Sequence, residues 1–278
     1  MPCFDAHTHI QFSAFNDDRE QVIHRAVDQG IRFVNVGTQR DTSRLAVELA
    51  EEHDGLYAAI GLHPIHTGSS YHDAKELGGG EAAKAFVSRG EEFDMEYYKK
   101  LAQHPKTVAI GECGLDYYRF NELESRESQI EKQKRAFSSQ ITLAREVAKP
   151  LMIHCRAAFP DLIEIVSANM YGLPPSIIHF FSGTLDEAKK LLSLGFLFTF
   201  GGVITFTHDY DEVIKMIPAE HLLSETDAPY VAPVPHRGKR NEPSYVVEVA
   251  KRLAEIKEIP LDSMIEQIET NARRVFRV

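Results

Sequence analysis

Cysteine is scarce. The 278 residues hold three of them, Cys3, Cys113 and Cys155, and no two form a CxxC pair. An odd, widely spaced set argues against a disulfide framework and points to a reducing, cytoplasmic setting. Positive charge is not in excess either: 31 lysines and arginines face 41 acidic residues, a formal net charge of −10. Such a chain is a poor candidate for nonspecific adhesion to nucleic acid or to anionic membrane, although a basic rim or bound cations can reverse the field at one site. The most apolar stretch, FLFTFGGVITF, is shorter than the roughly 20 residues a membrane span needs. The N-terminus lacks the basic-then-apolar layout of a signal peptide. No Gly-rich phosphate fingerprint follows a strand-like segment, which argues against a dinucleotide-binding sheet. What remains is a soluble chain, 43% apolar and 26% charged, with enough apolar content for a substantial core.

Short apolar segments alternate with amphipathic ones from end to end. Eight read as strands: CFDAHTH, IRFVNVG, GLYAAIG, TVAIGE, PLMIHC, SIIHFF, FLFTFG and HLLSETD. Most lack strict polar alternation, as parallel strands buried on both faces should. Between them run helical stripes. One is Leu45, Ala46, Leu49 and Ala50, another lies within about 125–148, and a last carries Leu261, Met264, Ile265 and Ile268. Thr184 and Glu187 read as a capping box, and Gly195 is placed to end that helix. This alternation predicts an α/β fold, a single (β/α)8 barrel domain spanning residues 1–278. The region from about 65 to 92 has no clear period. It reads as an insertion after the third strand, with a short helix near EAAKAFV.

In such a barrel, chemistry belongs at the C-terminal ends of the strands, and the unusual residues recur there. The first strand ends in DAHTH. Alternation puts His7 and His9 on one face, before the first helix begins. The third ends near His63, the fourth at Glu112, the fifth at His154, the sixth at His179 and the eighth at Glu225 and Asp227. Imidazoles and carboxylates gathered at one end suit Zn²⁺, Mn²⁺, Co²⁺ or Ni²⁺, whereas Mg²⁺ prefers oxygen. They are too many for one tetrahedral ion that keeps a position open. Two ions about 3.5–4 Å apart, bridged by a carboxylate, would use them all and would suit phosphoester hydrolysis. The same alternation turns Cys113 and Cys155 away from this site.

FDAHTH, GLHP, AIGECGLDYYR, PLMIHCRAA, IIHFFSG and LLSETDAPYVAPVPHRGKRNEP together resemble the TatD family of metal-dependent deoxyribonucleases, within the amidohydrolase-like barrel superfamily. The resemblance runs nearly the whole chain. It implies one ion held by His7, His9, Glu112 and Asp227, and a second by Glu112, His154 and His179, with Glu112 as the bridge. Two or three divalent ions are expected, of Zn, Mn, Ni, Co or Mg. The implied activity is 3′-to-5′ exonuclease cleavage of single-stranded DNA, with RNA as a further substrate. Two departures stand out. Phe180 occupies the position where the family usually has cysteine and should point outward, and the insertion after the third strand is longer than in compact members.

Asp227 is the expected base, Glu112 its bridging partner and Glu225 an acid or orienter. His63, Asp116, Tyr117, Tyr118, Arg119, Arg156, Ser182, Arg237, Lys239 and Arg240 are the expected substrate contacts. The arginines and lysine would hold phosphates and the tyrosines would stack bases. The expected partner is a single-stranded nucleic acid end, with no membrane and no obligate protein partner. Two other readings compete: hydrolysis of a cyclic amide, lactone or aminoacyl ester on the same site, and a catalytically idle barrel acting as a binding protein.

Overall fold

The computed structural model describes residues 2–69, 71–72, 86–118, 120–122, 124–169 and 171–278. Its strands are β1 (Cys3–Thr8), β2 (Ile31–Val36), β3 (Leu56–Ile60), β4 (Tyr71–His72), β5 (Phe86–Val87), β6 (Thr107–Asp116), β7 (Leu151–Arg156), β8 (Ile177–Ile178), β9 (Leu197–Phe200) and β10 (Leu222–Ser224). The helices are α1 (Arg19–Asp28), α2 (Arg40–Glu52), α3 (Met95–Ala102), α4 (Arg126–Val147), α5 (Phe159–Asn169), α6 (Leu185–Ser193), α7 (Asp211–Met216), α8 (Val246–Lys257) and α9 (Leu261–Phe276). Eight strands form one parallel sheet in the order β1-β2-β3-β6-β7-β8-β9-β10. All eight predicted segments are in it, and it curls into a nearly closed barrel.

Polar groups bring the last strand back to the first. Thr8 bridges to Ala228 in parallel, Asp227 N–H donates to His7 O at 2.9 Å and His9 N–H to Ala228 O at 2.7 Å. Below them, Ser224 Oγ donates to Phe4 O at 2.9 Å. The fully buried Asp5 accepts from His7 N–H, Thr226 N–H and the Thr226 hydroxyl. One side chain therefore ties down the backbone that carries His7 and the backbone that carries Asp227.

Local chemistry explains most boundaries. Thr184 and Glu187 form the expected capping box on α6, and Gly195 follows with φ +85°. Ser125 caps α4 by accepting from Ser128 N–H. Helix α2 is rotated from its expected stripe: Ser43, Ala46, Val47 and Ala50 are buried, and Leu45 and Leu49 are only half-buried. Gly37 is the reason, since a Cβ there would lie 2.4 Å from Ser43 Cα. Without one, the Ser43 hydroxyl reaches Gly61 O at 3.2 Å. The last helix runs on to Phe276, and its buried Asn271 donates to Ala219 O and Leu222 O at the entrance to β10.

The insertion differs from expectation. Most of EAAKAFV lies outside the described residues, but Phe86 and Val87 are strand, paired antiparallel with His72 and Tyr71. Strand β6 also runs past its expected end at Glu112 to Asp116.

Replacing Asp5 with alanine would strand three buried donors, each worth about 1 kcal/mol when satisfied. A loss of about 3 kcal/mol is expected in urea unfolding of the chelated protein. Asp5→Asn, which keeps one carbonyl acceptor, should recover about half of it. Equal midpoints for alanine variant and parent would show that the seam does not depend on Asp5.

Candidate metal centre at the C-terminal end of the barrel

His7 lies on β1 and His9 just beyond it, Glu112 lies on β6, and Asp227 follows β10. Their polar atoms surround one point. His7 Nε2 is 3.1 Å from His9 Nε2, 3.5 Å from Glu112 Oε2 and 3.8 Å from Asp227 Oδ1. His9 Nε2 is 3.6 Å from Glu112 Oε2 and 3.4 Å from Asp227 Oδ1. A tetrahedral ion with ligands at about 2.0–2.2 Å has ligand–ligand edges of about 3.3–3.6 Å. The five separations therefore bracket the space that a first-row divalent ion fills. Asp227 is aimed by a backbone φ of +54°, a region that non-glycine residues rarely occupy.

The other oxygen of the same carboxylate faces a second group. Glu112 Oε1 is 2.9 Å from His179 Nε2, 3.1 Å from His154 Nδ1 and 3.1 Å from His63 Nε2, and His154 Nδ1 is 3.4 Å from His179 Nε2. Glu112 thus stands between two donor sets and presents one oxygen to each.

Proton positions separate ligands from hydrogen-bond donors. His9 Nδ1 lies 2.6 Å from Val36 O and must donate to it, so its Nε2 carries the lone pair. His154 Nε2 lies 2.9 Å from Asp116 Oδ2, which leaves Nδ1 facing Glu112 free to coordinate. His179 Nδ1 faces Glu225 Oε2 at 3.5 Å, a carboxylate that favours the proton on Nδ1 and the lone pair on Nε2. Such outer partners orient metal-binding imidazoles. His63 is the opposite case, because its Nδ1 accepts from Ile65 N–H at 3.1 Å. The proton therefore sits on Nε2, and His63 is a donor aimed into the site rather than a ligand.

Burial is the largest single influence on every group here, and the charges facing a group decide whether it prevails. It would raise the Glu112 carboxyl, but His63, His179 and His154 hold that group well below the usual range. Asp227 is likewise held low, chiefly by His9. Burial pushes His7 down to about 3 and His63 to about 4. In His9, His154 and His179 burial is outweighed by facing carboxylates, and their values lie above the ordinary one. Raised values favour the protonated imidazoles with which a cation must compete, so metal affinity should rise with pH. Glu225 is pushed up by burial and accepts from the Thr199 hydroxyl, beneath His179.

The expected substrate contacts divide. Asp116 is not at the mouth: buried on β6, it takes His154 Nε2 on Oδ2, together with Arg156 Nε at 2.9 Å and Nη2 at 2.8 Å. Arg156 lies 4.4 Å over the ring of Tyr118, which is 54% exposed. Tyr117 is engaged elsewhere, its hydroxyl donating to Asp161 and its half-buried ring packing on the core. Arg240 is already paired. Its guanidinium donates to Ala14 O and both oxygens of Asp18 and lies over Phe15, stapling its loop to the start of α1. Arg237, Lys239 and Ser182 are exposed, and Arg119 lies outside the described residues. Phe180 does not point outward: with φ +44° its ring fills the space over Gly201, where a Cβ would come within 2.9 Å. Cys113 and Cys155 are buried and free, and burial raises both thiols. Asp5 and Thr199 were not anticipated. The DxHxH spacing carried a signal for the first, whereas nothing in the sequence marks the second.

A family model described as TatD related DNase matches residues 4–277. The chain belongs to the TatD-related DNase family. As a TatD-family protein it is a metal-dependent hydrolase, and its relatives cover it end to end. YabD of Bacillus subtilis, named a metal-dependent hydrolase, is 38% identical over 278 residues, 99% of each chain. An Erwinia billingiae protein named 3′-5′ ssDNA/RNA exonuclease TatD is 32% identical over 284 residues, again 99% of each. The crystal structure of YjjV, a TatD homologue from Escherichia coli, superposes with a TM-score of 0.82 at 27% identity, covering 99% of this chain and 98% of that one.

Glu112→Gln should remove the charge both donor sets share. After reconstitution and gel filtration, the variant is expected to retain fewer tightly held ions than the parent. Asp116→Asn should weaken the second ion by about 10–100-fold through loss of the orienting carboxylate. Unchanged stoichiometry and affinity in Glu112→Gln would show that this residue does not bridge.

Proposed function

We propose that this chain hydrolyses phosphodiester bonds from the 3′ end of single-stranded DNA, and of single-stranded RNA as a further substrate, on a dinuclear divalent centre. The observation that carries the reading is the placement of the two Glu112 oxygens, one toward His7, His9 and Asp227 and the other toward His154 and His179. Bound between these sets, divalent ions would lower the pKa of a water and take up charge on the phosphoryl oxygens. Residues 1–278 act as one barrel domain in this reading, and three free, buried thiols suit a reducing cytoplasm.

The side chains have distinct tasks. Asp227 Oδ1 faces His9 and His7, which leaves Oδ2 to accept the proton of the attacking water. Asp227 is the most exposed of these carboxylates, at 18% of its side chain against 5% for Glu112, as a group that meets water and substrate should be. His63 Nε2–H donates to a phosphoryl oxygen. Glu225 acts from beneath, holding the His179 tautomer. Arg156, pinned by Asp116, presents a positive edge where the next phosphate of a strand would lie.

Substrate class follows from access and ligand type. His7 and Glu112 are almost fully buried, so a scissile bond must reach down to them. A flexible strand end can do this and a rigid duplex cannot. Amide-hydrolysing barrels often bridge their metals through a carboxylated lysine, and here that place is held by Glu112. No helix among the described residues is long and apolar enough to cross a membrane.

Metal-reconstituted protein should shorten a single-stranded oligomer from its 3′ end, faster than the matching duplex. Asp227→Asn should lower turnover roughly 10²-fold or more by removing the base, with thermal unfolding of the chelated protein nearly unchanged. Turnover of dihydropyrimidine or ester substrates without phosphodiester cleavage under any divalent metal would overturn the reading. So would near-normal turnover in Asp227→Asn for that residue's role.

A further inference from the structure

Large apolar side chains left exposed are few among the described residues, and they are not spread evenly. Of Val27, Tyr118, Tyr171, Phe206 and Val234, three stand on segments that follow barrel strands, at the end that carries the donor sets. Phe206 follows β9 and Val234 follows β10, on the same loop as Asp227. Phe206 is 40% exposed and Val234 46%. The guanidinium of Arg237 lies 3.7 Å over the Phe206 ring centroid.

This surface is held in place. Val234 N–H donates to Thr205 Oγ1 at 2.9 Å, joining the two loops beside Phe206. Gly202 lets them meet, since a Cβ there would lie 2.1 Å from Val231 O. Arg252 fixes the β9 side from behind by donating to Ile204 O and to both oxygens of Asp211. Asn241 fixes the β10 side by donating to Thr226 O and Tyr230 O, so Arg237 and Asp227 share a braced loop.

We propose that Phe206 and Arg237 form a stacking subsite for a base of single-stranded nucleic acid. The proposal rests on the nuclease reading above and adds where the strand is gripped beyond the scissile bond. A flat ring with a flat cation layered on it is the surface on which bases stack without regard to sequence. A base joins as a third layer, while the N–H edge of Arg237 remains available to a phosphate. Tyr118 under Arg156 repeats the pairing of ring and guanidinium across the mouth, over β6 and β7. In an acidic chain, two such pairs at the catalytic end favour a polyanion with aromatic bases over a small neutral ester or amide.

The test is a binding cycle with metal-reconstituted protein and fluorescently labelled, phosphorothioate-linked DNA, read by anisotropy. One strand carries its bases and the other is abasic throughout, with the same charge. The parent should bind the base-bearing strand at least tenfold more tightly than the abasic one. In Phe206→Ala that ratio should fall about threefold or more, and Phe206→Tyr should restore it. A variant that is merely misfolded would lose both strands alike and leave the ratio to Phe206→Tyr, which keeps the ring, to decide. The same base-to-abasic ratio in parent and Phe206→Ala would overturn the proposal. Because no cleavage is read, failure here is distinct from failure of the nuclease reading, which shows as an uncut phosphodiester strand.

Discussion

A buried carboxylate ringed by imidazoles sets the terms for the rest of this structure. Glu112 is 3% exposed, and an unpaired ion taken that far from water costs several kcal/mol. The barrel answers by aiming nitrogen at both of its oxygens. Those imidazoles in turn need their other nitrogens fixed, or their lone pairs would turn away. Val36 O, Asp116 and Glu225 face those nitrogens of His9, His154 and His179, and the two carboxylates are supported again: Asp116 by Arg156 and Glu225 by Thr199. The centre is therefore three layers deep, and its outer layers act on the chemistry only through orientation.

Much of this was legible in the chain. Eight apolar segments without polar alternation gave the barrel, because strands covered on both faces have no other composition available. Once strand ends were located, His7, His9, Glu112, His154, His179 and Asp227 had to converge. Proton positions were not legible. That His63 donates while its neighbours coordinate depends on one backbone N–H, from Ile65. The rim misled for a related reason: Tyr117 and Arg240 have the right chemistry in the right loops, but Asp161 and Asp18 claim them. A cation and its carboxylate partner so distant along the chain cannot be paired from sequence. The turn of α2 toward Ser43 depends likewise on what Gly37 lacks.

Charge is arranged against the background of the whole molecule. A net charge of −10 gives little general attraction for a polyanion, so affinity must come from local features. The structure concentrates them at one end: guanidiniums backed by aromatic rings at Arg156 and Arg237, above donor sets that gather divalent cations. A strand end would meet stacking surfaces and positive edges first and the centre last. On the proposed activity that order would suit release of product and advance along the strand, since long-range electrostatic adhesion would hold the shortened strand in place.

Anomalous diffraction from crystals of the metal-reconstituted protein tests the central claim most directly. Two peaks are predicted, about 3.5–4 Å apart, with Glu112 Oε2 on the one beside His7, His9 and Asp227 and Glu112 Oε1 on the one beside His154 and His179. His63 should remain outside both coordination shells, its Nδ1 still on Ile65 N–H. A single peak, or a pair in which Glu112 contacts only one ion, would contradict the account.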